Sequence, residues 1–489
     1  MTTSTNTTRV PLIIDGRPAD PSGGRYFDTV SQLTGRPIAS VAAANADDAR
    51  RAVDAAAAAA SGWADTPPGE RRRILETAAG LLTERTAGIA ATMGREMGAA
   101  AGWCGFNAML AANMLREAAA QVYSTVGQVI GSDVPGLTAM AVREPAGVVV
   151  GIAPWNAPLI LGVRAVAMPL ACGNTVVLKA SEQTPATHAA IIECLNDAGL
   201  PAGVANLITN EPADAAGVVD ALITHPAVRV INFTGSTAVG RIIAEKAGRQ
   251  LKRCVLELGG KAPFVVLADA DLAAAAAAAS FGAFMNQGQI CMSTERIIVD
   301  RSVAGEFTRL LAERAAALVV GDPGDPGTQI GPMVHAKAVN HVSDLVRDAI
   351  DNGATVVTGG TADGLFYPPT VLAGVTRSAR VYSEESFGPL APIIEVDGVE
   401  EAIGVANDTQ YGLAAALFTR DVGRGLSVAK RISSGICHIN GATVHDEAQM
   451  PFGGVKASGY GRFGSTAAIE EFTELRWITI SSQERQYPI

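Results

Sequence analysis

The sequence has no C-x-x-C pair and no zinc-finger spacing of cysteine and histidine. Its six cysteines stand apart at Cys104, Cys172, Cys194, Cys254, Cys291 and Cys437. A structural zinc site and a disulfide scaffold are therefore not expected. Basic blocks are missing too: 38 Lys and Arg face 48 Asp and Glu, for a formal net charge of −10. Such a chain is a poor electrostatic match for nucleic acid or an anionic membrane. No apolar run approaches the ~20 residues of a membrane span. Residues 157–171 are broken by Arg164 and Pro169, and residues 272–285 are mostly alanine. The polar start, Met1-Thr-Thr-Ser-Thr-Asn, has no apolar core of a secretory signal. These absences predict a soluble protein of a reducing compartment, the cytoplasm, with no metal, nucleic-acid or membrane partner.

What is present reads as α/β. At roughly 150 residues per domain, 489 residues make about three domains or two large interleaved ones. With 48% apolar and 18% charged residues the composition is globular. Residues 1–9 read as a disordered leader and 12–14 as a short strand. Helices are expected over 47–61, 68–93 and 99–123; the six-alanine run 55–60 is high-propensity helix. From residue 147 continuous apolar runs at 147–152, 175–179, 204–209 and 230–235 alternate with helical stretches at 185–198, 214–223 and 237–247. That alternation implies right-handed crossovers and a parallel sheet, whose ligands sit at the strands' carboxyl ends. Asn156, Lys179 and Ser236 fall there. A second α/β stretch runs over 264–440. The last segment, 471–480, reads as a terminal strand able to pair with another subunit's edge.

Several side chains could carry chemistry, each with a plainer reading beside it. Cys291, in Gln287-Gly-Gln-Ile-Cys-Met-Ser, is a nucleophile or an inert buried thiol, and the Gly-Gln before it gives a flexible approach. Glu257, in Val255-Leu-Glu-Leu-Gly-Gly-Lys, is a base whose pKa burial would raise, or a surface glutamate on an edge strand. Asn156 donates to an oxyanion or caps the helix that begins at Pro158. Ser236, between a strand and a helix, cradles a phosphate or is a simple cap. Lys179 and Glu182 grip a ribose or form a solvated ion pair. Glu385 and Phe387 lie on a loop whose adjacent acids would ordinarily just be solvated.

Six segments, Pro154-Trp-Asn, Phe233-Thr-Gly-Ser-Thr, Leu256-Glu-Leu-Gly-Gly-Lys, Gly288-Gln-Ile-Cys, Glu384-Glu-Ser-Phe-Gly-Pro and Pro451-Phe-Gly-Gly-Val-Lys-Ala-Ser-Gly, resemble in this order the aldehyde dehydrogenase superfamily. The resemblance covers the chain beyond the leader. It implies a Rossmann-like NAD-binding domain (1–123 and 146–257), an α/β catalytic domain (258–458) and a small β oligomerisation element (124–145 and 459–489). It implies Cys291 as nucleophile, Glu257 as general base, and Asn156 with the Cys291 N–H as oxyanion hole. Lys179 and Glu182 then resemble the pair on the adenosine ribose, Ser236 the pyrophosphate contact, Glu385 the contact to the nicotinamide ribose, and Phe387 the aromatic beside the nicotinamide. Gly235, Trp155 and Gly259 complete the implied cofactor site. Glu257 favours hydrolysis of the thioester over its transfer to coenzyme A, and Glu182 favours NAD, with weaker use of NADP possible. A homodimer is implied, with a homotetramer as the alternative.

Within the superfamily the chain resembles the aromatic-aldehyde members, the salicylaldehyde, vanillin and benzaldehyde dehydrogenases. A helix beginning near Pro158 would turn Arg164, seven residues past Ala157, back to nearly the same face. It would then look into the tunnel to Cys291 and hold a phenolic oxygen or stack on a ring, unless it forms a structural ion pair. Trp103, Ile290, Met292, Val444 and Phe452 are candidate apolar walls or ordinary core. The rival readings are an aliphatic or succinic-semialdehyde dehydrogenase and an inactive binding protein.

Overall fold

The computed structural model describes residues 8–489 apart from Gln32. Residues 1–7 of the expected leader lie outside the described residues; its end, Thr8–Val10, is a strand paired in parallel with Pro37–Ala42.

Two sheets position the site. The first has eight strands in the order Gly459–Tyr460, Arg253–Glu257, Val228–Thr234, Val148–Ile152, Thr175–Lys179, Ala205–Ile208, Leu12–Ile14, Arg17–Ala19. Its five middle members are parallel. Val148–Ile152 and Thr175–Lys179 are buried along their whole length. That burial on both faces is why they read as unbroken apolar runs instead of alternating ones. The helices Pro158–Ala171, Pro185–Asp197, Ala215–Thr224 and Thr237–Arg249 follow as the crossovers.

The chain passes through residues 258–261 into a second, seven-stranded sheet ordered Thr355–Thr358, Thr370–Ala373, Leu390–Val396, Thr294–Asp300, Ala262–Val266, Ala414–Phe418, Ile436–Ile439. All pairings are parallel except that of the first two strands. Cys291 stands just before the amino end of Thr294–Asp300, whereas Glu257 ends its own strand in the first sheet. The catalytic candidates therefore lie where the carboxyl ends of one sheet meet the amino ends of the other.

Three expectations need adjustment. The stretch 68–93 is two helices, Pro68–Glu84 and Thr86–Met97. Between them Arg85 leaves helical geometry and its guanidinium reaches Asp197 (2.7 Å). The last segment begins as a helix, Ala467–Phe472, because Ala468, Ile469 and Phe472 bury on one side; only then does the strand Thr473–Ser481 begin. That strand pairs residue for residue with Leu137–Pro145 in a small antiparallel sheet with Gln128–Ile130. Gly459–Tyr460, grouped from sequence with this small sheet, pairs instead with Arg253–Glu257. Among the described residues no helix is long and apolar enough to cross a membrane.

Candidate active site

Pro158 starts the helix after the strand Val148–Ile152, and its cap position falls on Ala157, which makes no side-chain cap bond. Asn156 is thus not the helix cap. Its amide Nδ2 donates to the carbonyl of Gln289 (3.0 Å), two residues before Cys291. Its own carbonyl accepts from Trp103 Nε1 (2.9 Å) and from Asn286 Nδ2 (3.1 Å). The oxyanion candidate is held at both ends.

The segment before Cys291 is clamped, contrary to the flexible approach expected of Gly288-Gln289. Asn286 and Gln287 carry positive φ values of 49° and 56°. For residues with a Cβ such backbone is strained and persists only where its surroundings fix it. Buried amides do so here: Gln287 donates to Pro332 O (2.9 Å) and accepts from the Gly331 N–H, and Gln289 Oε1 accepts from the Val334 N–H (3.0 Å). Gly288, at φ 69°, has no alternative, since a Cβ there would lie 2.1 Å from the Gly388 carbonyl.

Glu257 is wholly buried beside the Cys291 thiol, and neither of its carboxyl oxygens has a hydrogen-bond partner within normal geometry. The edge-strand alternative therefore fails. Burial raises its pKa, and the Arg164 guanidinium opposes that rise. Burial, then the neighbouring Glu257, pushes the Cys291 thiol well above its ordinary value. At rest the thiol therefore holds its proton at neutral pH. A carboxyl raised by burial is suited to taking a proton near pH 7.

A cavity of about 430 Å³ opens beside them, and it brings together Trp155, Asn156, Gly235, Ser236, Glu257, Gly259, Cys291, Glu385 and Phe387. Ser236 caps the helix Thr237–Arg249 with its Oγ, so the cap reading holds, and the helix N-terminus faces the same space. Glu385 is not merely solvated: its Oε1 accepts from the Gly260 N–H (2.8 Å). Burial, followed by the charge of Glu295, pushes its carboxyl up to about 7. A Cβ on Gly259 would sit 2.5 Å from Glu385 Oε2, so only glycine allows that approach. The Phe387 ring lies edge-on to Trp155, with centroids 5.9 Å apart.

Sequence reasoning missed one wall. His335, Lys337, Ala338 and His341, around the start of the helix Ala336–Asp351, line the cavity, and His341 Nε2 lies 3.0 Å from the Glu385 carbonyl. No local motif marks them, because the fold alone brings that helix end across.

Lys179 and Glu182 are outside this lining, at the next strand end, and form an ion pair shielded from solvent. Glu182 also accepts from Asn210 Nδ2 (2.9 Å), whereas Asn210 Oδ1 is buried without a partner. Burial works to raise the Glu182 carboxyl, but Lys179 outweighs it and holds the group below its ordinary value. The anionic carboxylate, the unpartnered amide oxygen, the helix N-terminus and the aromatic pair fit a dinucleotide.

The substrate candidates divide. Ile290, Met292, Val444 and Phe452 are buried in one core cluster that Cys291 packs against. Trp103 is 3% exposed and engages Asn156. Arg164 does not look into the cavity beside Cys291. It pairs with Asp446, both side chains almost fully buried, and its guanidinium lies over the rings of Phe452 (4.0 Å) and Phe463 (5.5 Å). The structural ion pair that the sequence left open is the one that forms, because a buried guanidinium needs a counter-charge. Arg164 Nε and Asp446 Oδ1 nevertheless stay unpartnered, beside a small separate cavity.

Residues 19–478 match the Aldehyde dehydrogenase family. A vanillin dehydrogenase of a Pseudomonas species is 58% identical over 480 residues, covering 98% of this chain and 99% of the relative. A benzaldehyde dehydrogenase [NAD(+)] of Pseudomonas putida is 42% identical over 95% of each chain. The crystal structure of a salicylaldehyde dehydrogenase from Pseudomonas putida G7 complexed with salicylaldehyde superposes with a TM-score of 0.97 at 46% identity, covering 99% of this chain and all of the other. On matches of this extent, and with the cysteine, glutamate and asparagine gathered at one cavity, the chain belongs to the aldehyde dehydrogenase family.

Proposed function

We propose that this enzyme oxidises an aromatic aldehyde of the vanillin, salicylaldehyde or benzaldehyde type to its carboxylate. The observation that carries the reading is that Cys291, the buried Glu257 carboxyl and the anchored Asn156 line one cavity. The named relatives supply the substrate class.

NAD bound in the cavity beside Cys291 would supply the hydride acceptor. Ser236 and the helix N-terminus behind it would hold its pyrophosphate, Lys179 and Glu182 its adenosine ribose, and Glu385 and Phe387 its nicotinamide half, with Trp155, Gly235 and Gly259 shaping the walls. The Glu182 carboxylate repels a 2′-phosphate, so NAD is preferred over NADP. Cys291 loses its proton toward Glu257 and attacks the aldehyde carbon, forming a thiohemiacetal. The Asn156 amide and the Cys291 N–H stabilise the oxyanion; removing one such donor typically costs about 10²–10³ in rate. Oxidation leaves a thioester on Cys291. Glu257, once it has passed the cysteine's proton to solvent, then takes a proton from water; the water oxygen attacks the thioester carbon, the C–S bond breaks, and the carboxylate leaves with the thiolate restored on Cys291.

Ile290, Met292, Val444 and Phe452 do not line the cavity at Cys291 but form the apolar core behind it, and a ring oxygen would reach the unpartnered Arg164 Nε only from the small cavity that Arg164 and Phe452 line. Asp446 counts against a distal carboxylate, since it already neutralises Arg164 and would repel a second anion. That disfavours a semialdehyde. We further propose a homodimer of cytoplasmic enzyme: all six cysteines are free, strand Ile436–Ile439 is an open sheet edge, and the small antiparallel sheet exposes Val129, Leu475, Trp477 and Ile480. The division into a cofactor domain, a catalytic domain and an oligomerisation element is part of the same proposal.

The test is kcat/KM with NAD for salicylaldehyde, vanillin, benzaldehyde, hexanal and succinic semialdehyde, alongside Cys291→Ala. Preference for the three aromatic aldehydes and loss of oxidation in the variant are expected. Preference for hexanal or the semialdehyde would overturn the substrate class, and full activity of the variant would overturn the nucleophile.

A further inference from the structure

Behind the catalytic pair lies a second buried pair. Lys261 stands four residues beyond Glu257, and Glu295 four residues beyond Cys291. Lys261 Nζ donates to Glu295 Oε2 at 2.6 Å, with 0% and 3% of the two side chains exposed. The strands that follow pair in parallel with Ala262 opposite Thr294, so this ion pair sits at the mouth of that pairing.

Glu295 also reaches a third segment. Its carboxylate accepts from the Ser386 N–H (3.1 Å), the Ser386 hydroxyl (2.9 Å) and the Phe387 N–H (3.0 Å). Consecutive backbone N–H groups converging on one anion form a nest. Phe387 has φ 44°, a costly conformation for a bulky residue and one that persists only where its surroundings impose it. The Glu295 carboxylate is the group that receives this turn's N–H donors. The residues on either side of the grip, Glu385 on the Gly260 N–H and the Phe387 ring against Trp155, face the cofactor cavity. Stability does not account for the pair, because a buried ion pair is commonly no more stabilising than apolar groups of the same volume.

We propose that Glu295 is a positioning residue for the cofactor: through Ser386 and Phe387 it sets where Glu385 and Phe387 stand relative to Cys291. It touches neither substrate nor cofactor. Lys261 pairs with its carboxylate and ties it to the Gly259-Gly260 turn. This inference rests on the NAD reading above.

The test compares two ligands by calorimetric titration. NAD needs both halves of the site, whereas AMP needs only the adenosine half around Glu182. Glu295→Gln should weaken NAD roughly tenfold or more, the scale of lost hydrogen bonds to a charged group, with AMP changed less than about twofold. Glu295→Gln also strands a buried ammonium, so the double variant Lys261→Met/Glu295→Gln is measured beside it. It should recover melting temperature without recovering NAD affinity, and it carries the test if the single variant fails to fold. Unchanged NAD binding in a folded variant, equal weakening of NAD and AMP, or NAD affinity returning with the melting temperature would each overturn the positioning role. A wild-type protein that binds neither NAD nor AMP would instead overturn the NAD reading, and this inference with it.

Discussion

Trp103 offers the sharpest test of how the oxyanion site is built. The indole Nε1 donates to the Asn156 carbonyl at 2.9 Å, and the same carbonyl accepts from Asn286 Nδ2 at 3.1 Å. Trp103→Phe removes one of these two donors and leaves an aromatic in place. A single buried hydrogen bond contributes about 0.5–1.5 kcal/mol net, so kcat/KM should fall roughly two- to tenfold. Asn156→Ala removes the amide itself and should cost about 10²–10³. If Trp103 acts only by holding Asn156, Trp103→Phe adds nothing in the Asn156→Ala background, since residues that act as one unit are not additive. The assay is NADH formation at saturating NAD for the wild type, both single variants and the double variant. A second tenfold loss in the double variant would refute the reasoning. So would a change in aldehyde preference that persists there, because it would restore Trp103 to the substrate wall.

Glu257→Gln should slow both the pre-steady-state formation of NADH and steady turnover; unchanged turnover would exclude it as the base. Burial raises the Glu257 pKa and water activation needs its carboxylate, so kcat should fall as pH drops through a value above the ordinary glutamate range. Arg164 opposes that rise, so Arg164→Ala should move this acid limb to still higher pH, and a shift the other way would contradict the assigned field. The same variant leaves Asp446 buried without its counter-charge, a loss of about 3–5 kcal/mol visible in the melting temperature. It should raise KM for hydroxybenzaldehydes more than for hexanal, and equal effects would remove Arg164 from substrate recognition. Glu182→Gln, without the carboxylate that repels a 2′-phosphate, should raise the NADP-to-NAD ratio of kcat/KM at least about tenfold; an unchanged ratio would place that discrimination elsewhere.

Legibility in the sequence followed how local each determinant is. The parallel strands were legible because burial on both faces leaves an unbroken apolar run, as in Val148–Ile152. Cys291, Glu257 and Asn156 were legible because each lies within a short motif at a strand end. Arg164 was visible as a lone charge on an apolar helix, but its partner Asp446 lies 282 residues away, and no periodicity reports such a distance. His335 and His341 were missed for the same reason. The Gly-Gln before Cys291 read as flexible because glycine permits freedom. The structure shows it clamped, because the constraint comes from Gln287 and Gln289 bonding to residues 331–334.

Burial acts in two opposite ways at this site. It suppresses charge: the Cys291 thiol and the Glu257 carboxyl are both pushed up, so the resting thiol is protonated and a weak nucleophile. Burial also removes the water that would screen fixed dipoles, so an amide anchored like that of Asn156 contributes far more to a developing oxyanion than it would in solvent. A proton moving from Cys291 to Glu257 crosses a short gap between two groups raised by the same environment. That transfer moves one negative charge from the Glu257 carboxylate to the sulfur, and attack on the aldehyde carries it on to the carbonyl oxygen under the Asn156 amide. This balance requires that Asn156 stay still while charge forms. The structure meets the requirement with two donors on its carbonyl and one acceptor for its amide, all supplied by buried side chains and backbone.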